Sequence, residues 1–152
     1  MILASEKDKV DTELSLIETL TDTFAADYPL NILIAEDNFV NKILIEKILH
    51  KLGYQTETVS NGIQALNELV KKAYNTILMD IRMPEMDGFE ATHRIRQMTI
   101  TQPYIIAMTA NTMSNDREEC YKVGMNDYIS KPINLNEVIC KLKIAAEFLM
   151  RE

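Results

Sequence analysis

Apolar residues fall in two kinds of run along this chain. Ile32-Leu33-Ile34-Ala35, Thr76-Ile77-Leu78-Met79 and Tyr104-Ile105-Ile106-Ala107-Met108 are continuous, short and bounded by polar residues, as strands buried on both faces are. Residues 54–59 alternate and are rich in β-formers, which suits an edge strand, and Asp127-Tyr128-Ile129-Ser130 is a short fifth candidate. Between these runs the apolar positions recur every three or four residues. Val40, Ile43, Leu44, Ile48 and Leu52 predict a helix over 39–52, with Asn38 to cap its start and Gly53 its end. Ile63, Leu66 and Leu69/Val70 predict a second over 62–73 behind Asn61. Shorter helices are expected over 89–98 and 114–123, the latter between Ser114 and Gly124. The last, over 135–150, gathers Leu135, Val138, Ile139, Leu142, Ala145 and Leu149 on one face. Five strands alternating with five helices predict an α/β fold, a doubly wound parallel sheet with helices on both faces.

Residues 1–30 stand outside that alternation. Val10, Leu14, Ile17, Leu20 and Phe24 predict one extra helix from about Lys9 to Ala26, ended by Tyr28-Pro29. Two readings are open: a helix or linker packed on the domain, or a helix that binds a partner or a second copy. Charge sets this stretch apart too. The whole chain of 152 residues carries −7, of which residues 1–30 hold −5 and the remainder −2. So balanced a body offers no electrostatic footprint for nucleic acid. Hydrophobic residues at 47% and charged residues at 26% allow a real core. No apolar run approaches the roughly 20 residues of a membrane span, and the first residues do not form a secretory signal. Cys120 and Cys140 fit a reducing cytoplasm better than a disulfide scaffold.

In a doubly wound sheet, functional residues belong at the carboxyl ends of the strands. Those ends read Glu36-Asp37-Asn38, Asp80, Thr109-Ala110-Asn111 and Ser130-Lys131-Pro132. Three carboxylates would crowd together there, facing a hydroxyl and an ammonium. Such a cluster stays ionised only around a cation, and an all-oxygen ligand set favours Mg²⁺, or Mn²⁺. A lysine and a threonine opposite suit a phosphoryl group, and Asp80 in the middle can act as a nucleophile that forms an acyl phosphate.

These residues resemble a known family, the receiver (response-regulator) domain of two-component phosphorelays. The resemblance rests on Ile34-Ala35-Glu36-Asp37-Asn38, Met79-Asp80-Ile81-Arg82-Met83-Pro84-Glu85-Met86-Asp87-Gly88, Met108-Thr109-Ala110 and Gly124-Met125-Asn126-Asp127-Tyr128-Ile129-Ser130-Lys131-Pro132. It covers about residues 31–150 and leaves 1–30 as an acidic linker or helical extension. It implies a flavodoxin-like sheet of order 2-1-3-4-5. It implies Asp80 as phosphoacceptor, and Asp37, Asp80 and the Arg82 backbone carbonyl as Mg²⁺ ligands, with Glu36 acting through a water. Lys131, Thr109 and Ala110 would bind the phosphoryl group, Thr109 and Tyr128 would switch together, and Lys131-Pro132 would be cis. Arg82 and Asn111 would tune hydrolysis; the Arg82 side chain is equally compatible with covering the phosphoryl group and with pointing to solvent. The receiver would catalyse its own phosphorylation and dephosphorylation. The implied partners are a histidine kinase or a histidine phosphotransfer domain; oligomeric state stays open.

His50 and His93 lie on predicted helices outside any phosphohistidine motif and read as exposed residues. No output domain follows Met150, so a transcription factor is not expected. The residues around the 28–38 junction resemble hybrid sensor histidine kinases, which makes a C-terminal receiver of such a kinase, cytoplasmic on a membrane-anchored parent, the favoured expectation. A stand-alone regulator and a degenerate, unphosphorylated binding module are the alternatives. A metabolite phosphatase would need an aspartate two residues after the nucleophile, where Arg82 stands.

Overall fold

The structure, a computed structural model, describes residues 11–110 and 114–151. Helix α1, described over residues 11–17, and the short α2 (Phe24–Asp27) precede the alternating body. There follow β1 (Ile32–Ala35), α3 (Phe39–Lys51), β2 (Thr56–Val59), α4 (Gly62–Lys71), β3 (Thr76–Asp80) and α5 (Gly88–Gln97). The chain continues through β4 (Tyr104–Thr109), α6 (Ser114–Val123), β5 (Asp127–Ser130) and α7 (Leu135–Met150). All strand pairs are parallel, and the sheet order is β2-β1-β3-β4-β5, as expected.

The alternation of side chains along the strands divides the core in two. Ile32 and Ile34 of β1, Leu78 of β3, and Ile106 and Met108 of β4 face α3 and α7. Leu33, Ala35, Ile77, Met79, Ile105 and Ala107 point the other way, against Ala65, Leu69, Ala91, Ile95 and Cys120 from α4, α5 and α6. β1, β3 and β4 are buried throughout, which is why they read as unbroken apolar runs. Asn38 and Asn61 cap α3 and α4 as anticipated, accepting from the backbone N–H of Asn41 and Gln64.

Several details differ from the sequence reading. β2 begins at Thr56, and Tyr54 is buried in the core before the strand starts. Val40, Ile63 and Val70 are exposed, because the faces of α3 and α4 that meet the sheet are set by Leu44, Ile45, Ile48 and Leu49 and by Ala65 and Leu69. The single N-terminal helix is instead two pieces. Its threonines account for the break: Thr19 Oγ1 donates to the Leu16 carbonyl at 2.6 Å, and Thr21 and Thr23 pair their hydroxyls at 2.9 Å. Short polar side chains that bond locally compete with the helical ladder.

The segment nevertheless packs on the α3–α7 side of the sheet. Ile17 is 2% exposed and joins that core, with Leu14, Leu20 and Phe24 against it. Polar contacts fix its path: Ala25 N–H donates to the Leu52 carbonyl, the Tyr54 hydroxyl to the Tyr28 carbonyl, and Leu135 N–H at the start of α7 to Glu13 Oε2 at 2.7 Å. Gly53, at φ +101°, sits where a Cβ would meet the Asp22 carbonyl oxygen at 2.4 Å, so only glycine both adopts this backbone and admits the segment. Replacing Ile17 by alanine should lower the unfolding free energy by about 2–4 kcal/mol, the usual cost of emptying a buried aliphatic site. A urea midpoint unchanged from the wild type would show that the segment contributes nothing to the core.

Candidate functional site

Parallel pairing brings the ends of β1, β3, β4 and β5 to one edge. Ala35 lies beside Met79, Asp80 beside Met108, and Thr109 beside Ser130. The residues that leave those strands continue the ladder: Glu36 N–H donates to the Val59 carbonyl, Ile81 N–H to Met108 and Lys131 N–H to Thr109. The side chains of Glu36, Asp37, Asp80 and Lys131 are therefore delivered by backbone at or next to residues hydrogen-bonded to a neighbouring strand.

Glu36, Asp37 and Asp80 each offer a carboxylate oxygen within 4.8 Å of the others. Glu36 and Asp80 are buried and Asp37 is exposed, so the cluster opens to solvent on one side. The Lys131 ammonium bridges the two buried acids, 3.0 Å from Glu36 Oε1 and 3.0 Å from Asp80 Oδ1. Asp80 Oδ1 also accepts from the Arg82 N–H at 3.2 Å, and Glu36 Oε2 from the Asn38 N–H at 3.3 Å. Glu36 Oε1, though beside the ammonium, has no well-angled hydrogen bond.

One ammonium among three carboxylates leaves the pocket negative. Burial, then hydrogen bonding and repulsion from Glu36, push the Asp80 carboxyl up to about 7, against the pull of Lys131. Burial alone would lower the Lys131 ammonium, but its bonds to Glu36 and Asp80 outweigh that and raise it. An under-bonded buried oxygen, an all-oxygen donor set and an excess of negative charge fit a hard divalent cation.

The loop after β3 shapes the pocket floor. Gly88 N–H donates to the Ile81 carbonyl, and a Cβ on Gly88 would meet the Asp80 carbonyl oxygen at 2.3 Å. The next helix can start this close to Asp80 only without a side chain there. Asp87 caps α5 by accepting from Glu90 N–H.

Of the expected residues, Glu36, Asp37, Asp80 and Lys131 come together. Thr109 is 3% exposed at the end of β4, and Ala110 is exposed beyond it. Lys131-Pro132 is cis. Arg82 turns an exposed side chain outward. Tyr128 is partly buried, with Arg117 Cζ 4.9 Å and Lys141 Nζ 5.2 Å from its ring centroid. Asn111 lies outside the described residues. The sequence reading missed Asp116, whose Oδ2 accepts from Thr109 Oγ1 at 3.4 Å. It also missed Lys141, paired with Asp127 at 2.8 Å, and Arg96, which ties Gly124, Gln102, Pro103 and Asn126 together. Each lies on a helix face where a charged residue reads as solvated, so no sequence signal separated it from its neighbours. His50 and His93 are exposed. Among the described residues, no helix is long and apolar enough to cross a membrane.

A buried acidic cluster bridged by lysine, at the carboxyl edge of a sheet of this order, is the arrangement of a phosphorelay receiver domain. The pattern of the response regulator receiver domain matches residues 32–143, and the chain belongs to that family. It is 42% identical over 123 residues to hybrid signal transduction histidine kinase B of Dictyostelium discoideum, covering 73% of this chain and 6% of that protein. It also resembles the receiver domain of sensor histidine kinase PA1611 from Pseudomonas aeruginosa, solved with a magnesium ion coordinated in its active-site cleft. That likeness has a TM-score of 0.71 and 41% identity, covering 78% of this chain and 98% of that one. The receiver domain of the response regulator Ssk1, solved with the histidine phosphotransfer protein Ypd1 of Saccharomyces cerevisiae, matches at a TM-score of 0.74 and 27% identity. It covers 79% of this chain and 90% of that one. The chain spans a small part, 6% and 14%, of the first two curated relatives it matches.

Replacing Gly88 by alanine should force the β3–α5 loop away from Asp80, at a cost of about 1–3 kcal/mol. Equilibrium unfolding measures it, and a stability equal to the wild type would show the close approach to be immaterial.

Proposed function

We propose that Asp80 is the phosphoacceptor of this receiver and takes a phosphoryl group from phosphohistidine. The observation that carries this reading is the Lys131 ammonium 3.0 Å from both Glu36 and Asp80 carboxylate oxygens, with Asp37 in the same cluster. An Asp80 carboxylate oxygen attacks phosphorus in line as the phosphorus–nitrogen bond of the donor breaks, and the electron pair leaves with the imidazole. Lys131 is placed to shift from its carboxylate partners to the phosphoryl oxygens and neutralise them. Thr109 and the Ala110 backbone N–H, at the end of β4, supply hydrogen bonds to the same oxygens. Asp37, Asp80 and the Arg82 carbonyl are the proposed ligands of Mg²⁺, with Glu36 behind them; Mn²⁺ has the same taste for oxygen. The metal, when bound, supplies charge neutralisation to the transferring group.

Water later attacks the acyl phosphate and resets the switch. The rate of that attack depends on the residues two positions after Asp80 and after Thr109, which are Arg82 and Asn111. Thr109 engagement of the phosphoryl group and inward rotation of Tyr128 form the two-state element that carries the signal. Residues 31–150 are the receiver unit, and the N-terminal segment is a helical extension clasped to it. The likeness to hybrid kinases supports a receiver of such a kinase, fed by that kinase or by a histidine phosphotransfer protein. The free thiols of Cys120 and Cys140 suit a reducing, cytoplasmic setting.

Incubation with acetyl phosphate and Mg²⁺ should add one phosphate by intact-mass measurement, and Asp80→Asn should abolish the gain. A chain that takes no phosphate from acetyl phosphate or from a phosphohistidine protein would be a binding module instead. Asp37→Asn should weaken Mg²⁺ binding by at least about tenfold, since tuning groups outside the ligand set already cost that much. Isothermal titration checks this, and an unchanged affinity would remove Asp37 from the metal site.

A further inference from the structure

The first turn of α6 reaches both residues that the receiver reading makes movable. Thr109 Oγ1 donates to Asp116 Oδ2 at 3.4 Å, one of the contacts of that residue. In the adjacent position, Arg117 lies over the Tyr128 ring with Cζ 4.9 Å from its centroid. Thr109 shares the strand face of Ile105 and Ala107, the face that α6 covers through Cys120. Its hydroxyl therefore emerges toward α6, while Asp80 lies on the neighbouring strand β3.

A hydroxyl has a single proton to donate. Asp116 and a phosphoryl group on Asp80 are two acceptors on different sides of it. Both are anionic, so the phosphoryl group also repels the carboxylate. We propose that Asp116 is a positioning residue that holds the Thr109 hydroxyl toward α6 and so opposes its engagement of a phosphoryl group on Asp80. Loss of that bond on phosphorylation loosens the first turn of α6. The same turn carries Arg117, so Tyr128 is released with it. The inference rests on Asp80 as phosphoacceptor and adds a group, outside the acidic pocket, that sets the balance between the two states.

Beryllofluoride with Mg²⁺, a stand-in for the acyl phosphate, tests this in the full chain, followed by the backbone amide resonance at position 109. Asp116→Ala should tighten beryllofluoride binding about fivefold, the scale of one net hydrogen bond. In a Thr109→Val background the same substitution should change the affinity little, because no hydroxyl is left to compete for. Equal tightening in both backgrounds would mean that the Asp116 charge acts at a distance, and would overturn the inference. So would an Asp116→Ala variant with wild-type affinity. Failure of the wild type itself to bind beryllofluoride would overturn the inference together with the Asp80 reading; the other two outcomes leave that reading standing.

Discussion

Everything at the sheet edge depends on the contact between the Lys131 ammonium and the buried carboxylates of Glu36 and Asp80. Two acids taken out of water a few ångströms apart repel one another, and each loses hydration. The ammonium offsets part of that cost. It does not remove it, as the raised Asp80 carboxyl records. The pocket is thus held short of balance, and the remaining negative charge is what a divalent cation would answer. A site satisfied by its own side chains would have no such demand.

The rest of the fold serves that contact by bringing three carboxylates and an ammonium from the ends of three strands to one place. β1 and β3 are neighbours and β5 lies two strands from β3, so Lys131 must reach across β4 to touch Asp80. The ladder bond from its own N–H to the Thr109 carbonyl anchors the start of that reach. The close approach of Gly88 to the Asp80 backbone fixes the loop that follows β3. Rigid delivery from hydrogen-bonded strand ends is what allows an unbalanced cluster to persist in a small domain.

The far side of the sheet has a different logic. The N-terminal segment lies over the core between α3 and α7 and places a carboxylate, Glu13, on the first turn of α7. The chain between Lys131 and that turn is only a few residues long. The segment therefore touches the element that follows the pocket lysine through apolar packing and the Glu13 carboxylate, and Glu18 adds an exposed ion pair with Lys51 of α3 at 3.6 Å.

By itself the sequence determined the five strands, the five helices that alternate with them and the residues of the acidic edge, while the sheet order came from the family resemblance. Runs such as Ile32–Ala35 and Tyr104–Thr109 are apolar because both their faces are covered, and a buried strand leaves that mark locally. Asp80 and Thr109 were legible because each stands at the end of such a run, and Lys131 because it follows the short strand Asp127–Ser130. Other features depend on which face of a helix meets the sheet, a long-range property that periodicity records only loosely. Val40 and Val70 look like core positions in sequence but are exposed. Asp116, an ordinary acid on a polar helix, meets Thr109 only because α6 packs over the end of β4. The break in the N-terminal helix comes from local threonine hydroxyl bonds that the apolar stripe did not reveal, while the seat of Ile17 against the core was decided in three dimensions. Local pattern specifies an element when burial is nearly complete; contacts between distant elements come from packing geometry, which no single stretch of chain encodes.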